Sequence, residues 1–254
     1  MKEKYYFFDG KNYSKTEIQK LIKDHVERNK KNPDPRIFQT LRMLEGKEIL
    51  DVGCSDGSIL MLADQNLKIH GIDVLESSIE IAKEFYSAPN LTYEVRDLLK
   101  QPFSENSFDC VTFLETIEHV ENPALYLREF YRILRPGGFV IISTPNATSL
   151  KNLLYALSYR RRKKREGIAM EISVEPKNTG TQIEHIYNWD FPTLVRLLDR
   201  CGFEYVDHAY ARAGPIIIPI LGKKTQIINA NSKILRSFEP LMTTQIIKAR
   251  KRSI

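Results

Sequence analysis

The run FDCVTFL, Phe108 to Leu114, is apolar at nearly every position and constrains the fold more than any other stretch. A strand with one wet face alternates in polarity. A strand apolar on both faces has to be covered twice, which in a chain of mixed elements means helices on both sides of a parallel sheet. The surrounding sequence repeats this pattern. Strands are expected at KEILDVG (47–53), KIHGID (68–73), LTYEVRD (91–97) and GGFVIISTP (137–145), and helices at 57–66, 76–87 and PALYLREFYRIL (123–134). Such alternation with short connections predicts an α/β fold with a doubly wound, mostly parallel sheet, whose ligand sites lie at the C-terminal ends of the strands. The alternation in TTQIIKARK (243–251) suits an antiparallel last strand.

Around this unit lie added segments. In SKTEIQKLIKDHVERNKK (14–31), Ile18, Leu21, Ile22 and Val26 form one helical stripe, and Ser14 with Glu17 reads as a capping box. NPDP then breaks the chain, and a second short helix runs to about Leu44. Residues 1–35 are therefore read as a helical extension and 36–254 as one domain with insertions at about 146–186 and 213–240. The first insertion sits where lids are expected, before the helix FPTLVRLLDRCGF, which Gly202 ends. A chain of 254 residues with 42% apolar content buries one substantial core, and nothing suggests a second domain of comparable size.

Composition excludes several classes. MKEKYYFFDGKNYSK has no apolar run of secretory type, and the longest apolar stretch, PIIIPIL (215–221), is too short for a bilayer and carries two prolines. Three cysteines without CxxC spacing argue against a disulfide framework and a thiolate zinc site, so a soluble cytoplasmic protein is expected. The net charge of +6 owes much to RRRKKR, Arg160 to Arg165, which is read as a solvated loop in preference to a phosphate-binding patch.

The loop in ILDVGCSDGSIL (49–60) narrows the ligand. A dinucleotide fingerprint needs glycine where this chain has Gly53, Ser55 and Ser58, and a Walker loop needs a lysine followed by serine or threonine after Gly57; neither pattern is met. Asp51 would repel a diphosphate and attract a cationic amine. Asp73, ending the next strand, is placed to accept the hydroxyls of a ribose, and Asp97, after the third, to accept from an adenine amine. Each aspartate also suits a turn or cap, and both uses remain open for each taken singly.

A ribose, an adenine and an amino-bearing cation together describe S-adenosylmethionine. ILDVGCSDG, HGIDV, EVRDLL, FDCVTFLETIEHVENP and YRILRPGGFVIISTPN, in that order, resemble the class I S-adenosylmethionine-dependent methyltransferases, in the group that includes ubiquinone and menaquinone biosynthetic enzymes. The resemblance implies a Rossmann-like seven-stranded sheet with its last strand antiparallel. It also implies that Asp51, Gly53, Cys54, Ser55 and Gly57 surround the methionine portion, Asp73 and Val74 the ribose, and Asp97 and Leu98 the adenine, with Glu115 beside the methyl donor. The family usually has glycine where this chain has Ser55.

Chemistry in that class is direct displacement at the sulfonium methyl, so positioning is the enzyme's main contribution and a base serves only a poorly ionised acceptor. Glu115, His119 and His185 are the candidate catalytic residues. In quinone-pathway relatives a segment similar to ETIEHV is associated with a divalent metal, which makes Glu115, Glu118 and His119 metal candidates; the same residues suit a helix start without metal, the favoured reading. Tyr187 and Trp189 are expected to line an aromatic wall. The acceptor is a small molecule, a saccharide or a lipid-linked compound, and GPIIIPILGKKTQIINANSKILRSFEPLM with LKNLLYALSYRRRKKR admits contact with a membrane surface. Against RNA stand the lack of a binding module and the sequence LETI in place of an asparagine–proline tetrad. A cofactor-binding protein without transferase activity is the reading from a different class.

Overall fold

The computed structural model describes residues 4–6, 12–31, 34–150, 152–153, 185–211, 216–220, 223–228 and 242–253. The short strands β1 (Lys4–Tyr6) and β2 (Asn12–Ser14) pair antiparallel and lead into helix α1 (Lys15–Lys31). The expected capping box is formed: the Ser14 N–H donates to Glu17 Oε2 at 2.8 Å, and the Glu17 N–H returns to Ser14 Oγ at 3.4 Å. Of the apolar stripe Ile18 is buried, whereas Leu21 is 43% exposed. Helix α2 (Pro35–Met43) starts at Asp34, whose carboxylate accepts the N–H of Arg36, with Pro35 in the first turn where no amide is needed.

The domain proper alternates β3 (Glu48–Val52), β4 (Lys68–Asp73), α3 (Glu76–Phe85), β5 (Leu91–Val95), β6 (Phe108–Leu114), α4 (Pro123–Ile133) and β7 (Leu134–Pro145). Further along the chain come α5 (Phe191–Arg200) and β8 (Phe203–Ala211), then a hairpin of β9 (Ile216–Ile220) and β10 (Lys223–Ile228), then β11 (Thr244–Lys251). The main sheet has seven strands in the order β5-β4-β3-β6-β7-β11-β8. The pairs from β5 to β7 are parallel, and β11 runs antiparallel to both β7 and β8.

Alternate residues of the central strands go to opposite faces. Leu50, Val111, Phe113, Val140 and Ile142 join one core with Leu127 and Phe130 of α4 and Leu194 and Leu198 of α5. Ile49, Cys110, Leu114 and Ile141 join a second with Met43 of α2, Leu60 and Ile246. That two-sided burial is why FDCVTFL shows no alternation. Direction of growth reverses between β3 and β6, where the chain turns from building one half of the sheet to the other, and there a crevice opens at the strand ends.

One predicted helix is not formed. Residues 57–66 contain only a single 3-10 turn, Leu60–Leu62, because short polar side chains capture the amides a helix would use: Asp56 accepts from Ser58 N–H and Asp64 from Asn66 N–H. Strand β8, which sequence patterning did not single out, buries only Phe203, Ala209 and Ala211. The basic run Arg160 to Arg165, with most of 146–186 and part of 213–240, lies outside the described residues. Among the described residues no helix is long and apolar enough to cross a membrane, and Cys54, Cys110 and Cys201 are free and buried.

Candidate active site

A cavity of about 1000 Å³ lies at the C-terminal ends of β3, β4 and β6. Asp51, Gly53, Cys54, Ser55, Asp73, Val74, Leu98 and Glu115 line it, so most of the residues expected around a cofactor are brought together.

Asp51 pairs in register with Gly71 of β4 and Thr112 of β6, at the point of reversal. It is 4% exposed, and the Thr112 hydroxyl donates to its Oδ1 at 2.6 Å. Burial pushes its pKa up to about 7, against the Thr112 hydrogen bond and with help from the charge of Asp73. A buried carboxylate held at that threshold favours a cation arriving beside it.

The following loop is tied to the end of β4. The N–H groups of Gly53 and Cys54 both donate to Ile72 O, and Asp73 accepts from Ser55 N–H through Oδ2 and from Leu75 N–H through Oδ1, each at 2.9 Å. Asp73 is thus a turn-holding residue as well as a cavity-lining one, with lone pairs left over on both oxygens. Ser55 stands at φ +52°, in the left-handed region where a glycine would be unstrained.

Two expectations about the donor side change. Gly57, at φ +76°, does not line the cavity; a Cβ there would come within 2.6 Å of Tyr93, so the glycine is required by the protein's own packing. At Gly53, φ +71°, it is likewise Thr116 that a Cβ would strike, at 2.6 Å. Asp97 also lies off the cavity wall: its carboxylate binds Lys100 at 3.0 Å and accepts from Leu99 N–H, and the Lys100 hydrogen bond holds its pKa low. Leu98 and Arg96 supply the wall at that place.

The opposite wall begins at Glu115, just past β6, at φ +49°. Its N–H donates to Ser143 O, its Oε1 accepts from Ser143 Oγ at 2.9 Å, and its Oε2 lies 3.7 Å from Arg36 Nη1. Arg36 therefore reaches the cavity from α2 and sets a cation there, which sequence reading missed because NPDPR was taken only as a break. Tyr126, stacked on Phe113 at 5.5 Å between ring centroids, was missed as well; it gave no signal beyond one more aromatic on a helix.

Glu118 is 1% exposed, with Oε2 accepting from Thr144 Oγ1 at 3.0 Å. Burial pushes its pKa up to about 7, and the nearby charge of Glu115 adds to this. Its backbone carbonyl accepts from both Ile186 and Tyr187 N–H, which seats the segment before α5 on the end of β6. The rings of His119 and His185 consequently meet edge to face, 4.7 Å apart. Partial burial and then His119 push His185 below the ordinary histidine value, with Glu115 opposing. Tyr187 and Trp189 do not form the expected aromatic wall: Trp189 packs into the core, and the Tyr187 hydroxyl donates to Glu121 O. Ile186, Val120 and Tyr126 line the cavity instead.

The methyltransferase-domain profile matches residues 15–208, which covers the whole of this cavity. The chain belongs to the S-adenosylmethionine-dependent methyltransferases. It is 29% identical over 170 residues to a ubiquinone biosynthesis O-methyltransferase from Coxiella burnetii, a match covering 64% of this chain and 69% of that protein. It is 35% identical over 115 residues to the enzyme of that name from Pseudomonas entomophila, covering 44% of this chain and 50% of the relative. Among solved structures, a methyltransferase from Methanosarcina mazei superposes with a TM-score of 0.58 at 20% identity, covering 85% of this chain and 98% of that one. A putative methyltransferase from Haloferax volcanii, solved in complex with its activator, gives 0.61 at 15%, covering 93% and 98%. These superpositions show the shared fold, and the methyltransferase family supplies the cofactor, S-adenosylmethionine.

Proposed function

We propose that this chain transfers the methyl group of S-adenosylmethionine to a hydroxyl oxygen of a small-molecule acceptor. The observation that carries the reading is the pairing of two unlike walls on one cavity: the carboxylates of Asp51, which is buried, and Asp73 on the β3–β4 side, and Glu115 with His119 on the β6 side. The bound cofactor supplies an electrophilic methyl on a sulfonium sulfur. For the residues of the chain, Asp51 is read as the partner of the cofactor's amine and Arg36 as a cation facing its carboxylate. Asp73 is read as the acceptor for ribose hydroxyls, and Leu98 and Val74 as apolar contacts for the base and sugar. Val74, 62% exposed, is an apolar surface such a contact would cover.

On the acceptor side a hydroxyl is a weak nucleophile until its proton is drawn away. Glu115, His119 and His185 are the groups read as orienting and deprotonating it, partial burial pushing His185 below the ordinary histidine value. Tyr126, Val120 and Ile186 form an apolar flank. The oxygen specificity is supported by the name shared by the Coxiella and Pseudomonas relatives, and the saccharide and lipid-linked acceptors differ in what the insertions would cover.

The test is untargeted. Enzyme, methyl-labelled cofactor and a small-molecule extract are incubated and the labelled product is identified. A product labelled on oxygen, with stoichiometric S-adenosylhomocysteine, is expected. Label on nitrogen or carbon overturns the oxygen assignment, and tight cofactor binding with no product from any extract overturns methyl transfer.

A further inference from the structure

The sequence placed a candidate metal on Glu115, Glu118 and His119, and the structure does not assemble that set. Glu115 is engaged elsewhere, by the Ser143 hydroxyl at 2.9 Å and by Arg36 at 3.7 Å. What converges instead is Glu118, His119 and His185, with one ligand atom from each lying within 4.8 Å of the other two. An independent observation points the same way. Glu118 is 1% exposed, and while Oε2 is taken by Thr144, its Oε1 is buried and has no hydrogen-bond partner among the described residues. An unanswered carboxylate oxygen in the interior is costly, and a cation is the group that answers it.

We infer that Glu118, His119 and His185 form a binding site for a divalent first-row transition metal, with His185 in the place that the linear motif gives to Glu115. Two imidazoles and one carboxylate suit zinc, cobalt or manganese better than magnesium or calcium, which prefer oxygen donors. Ligands about 2.0–2.2 Å from such an ion sit roughly 3–4 Å apart, so small rotations would contract the observed spacing, and His185 is the exposed member of the three. The scaffold is fixed from both directions: Thr144 orients the carboxylate, and the Glu118 carbonyl, bonded to Ile186 and Tyr187 N–H, holds the second histidine's segment against the first.

The site is on the acceptor wall, where His119 lines the cavity, and nothing on the donor wall calls for a metal. As a reading of how an acceptor oxygen is ionised it rests on the proposed methyl transfer; as a binding site it does not. Three bonds from protein would leave coordination positions open to an oxygen donor from the cavity side.

The test uses the full chain, freed of metal by chelation and titrated with Co2+. One equivalent per chain is expected, with visible d–d absorption and two exchangeable imidazole N–H resonances shifted by the paramagnetic ion. His185→Ala should weaken Co2+ binding by about tenfold or more, and Glu115→Gln by less than about twofold. No Co2+ binding overturns the site. So does a single imidazole resonance with the loss falling on Glu115→Gln, since that is the signature of the linear set. Because the resonances are counted in the unmodified chain, the outcome does not depend on the variant's folding. Cofactor binding and product formation in chelator are followed alongside. If they persist while Co2+ fails to bind, the metal site falls and methyl transfer stands; if the site holds but no product forms, the converse applies.

Discussion

The two walls of the cavity are built in opposite ways. On the donor side, the turn after β3 is held by bonds to the end of the adjacent parallel strand, Gly53 and Cys54 N–H donating to Ile72 O, and Asp73 locks the loop by taking the Ser55 and Leu75 amides. On the acceptor side, Glu118 and His119 meet His185 only because the Glu118 carbonyl captures two amides, of Ile186 and Tyr187, 68 and 69 positions further along the chain. A wall closed by neighbouring strands is complete once the sheet is. A wall closed by one distant segment depends on that segment staying in place, and its chemistry is correspondingly easy to alter without touching the donor half.

The strongest way to break this contrast is Asp73→Ala. It removes the proposed ribose acceptor and two turn bonds at once, and should weaken cofactor binding by about 3–5 kcal/mol, roughly a hundredfold to a few thousandfold. Asp73→Asn, which keeps an acceptor for one amide, should retain part of it. Calorimetric titration with S-adenosylmethionine decides; undiminished affinity in Asp73→Ala would mean that the cofactor's sugar is not held there.

His185→Ala is expected to do the reverse. Methyl transfer should fall by about 100-fold, the usual contribution of a positioned acid–base or ligand group, while cofactor affinity stays within about twofold. Equal losses in both quantities would show that the two walls are coupled through the end of β6 and that the contrast is false.

The donor wall was the legible one. Asp51, Asp73 and the strands that carry them declare themselves by alternation and by loop composition, since each stands at the end of a strand whose own sequence marks it. The acceptor wall was read only in part. Its residues were picked out as ETIEHV and a lone His185, yet which of them meet depends on the pairing of Glu118 O with Ile186 N–H, and no local spacing encodes that. Arg36 escaped for the same reason, because its distance from the cavity is a matter of where α2 packs. Gly57 illustrates the opposite error: a glycine read as room for a ligand is room for Tyr93.

The pH dependence sharpens the donor side further. Asp51, raised to about 7 chiefly by burial, is increasingly neutral below that pH and ionised above it. A cationic amine prefers the ionised form, so affinity for the cofactor should rise as pH climbs to about 7 and fall by up to about tenfold per unit below that. The groups facing it are Thr112 from β6 and Asp73 from β4, and Asp51→Asn should remove the dependence while lowering affinity throughout. For folding the sign is opposite. A raised carboxylate favours the native state most below its ordinary value near 4, and that contribution is lost as pH rises through about 7. The unliganded protein should therefore lose melting temperature as pH rises from about 4 to about 7, with no further change from this group above that, in a way that Asp51→Asn does not.

The smallest effect separates backbone from side chain at Ser55. Its φ of +52° costs on the order of 1 kcal/mol for a residue with a Cβ, and Ser55→Gly removes that cost while loosening the unfolded chain by about half as much. Net stability should therefore change by only about 0.5 kcal/mol, upward. Ser55→Ala keeps the Cβ and the strained backbone but deletes the hydroxyl. If that hydroxyl, on the cavity wall, bonds the cofactor, both variants should weaken binding by about two- to fivefold, the worth of one such bond. If only the N–H to Asp73 matters, both should bind as the native chain does, because that N–H survives in each. A loss in Ser55→Gly alone would instead trace to the freed backbone, and would place the value of serine here in rigidity.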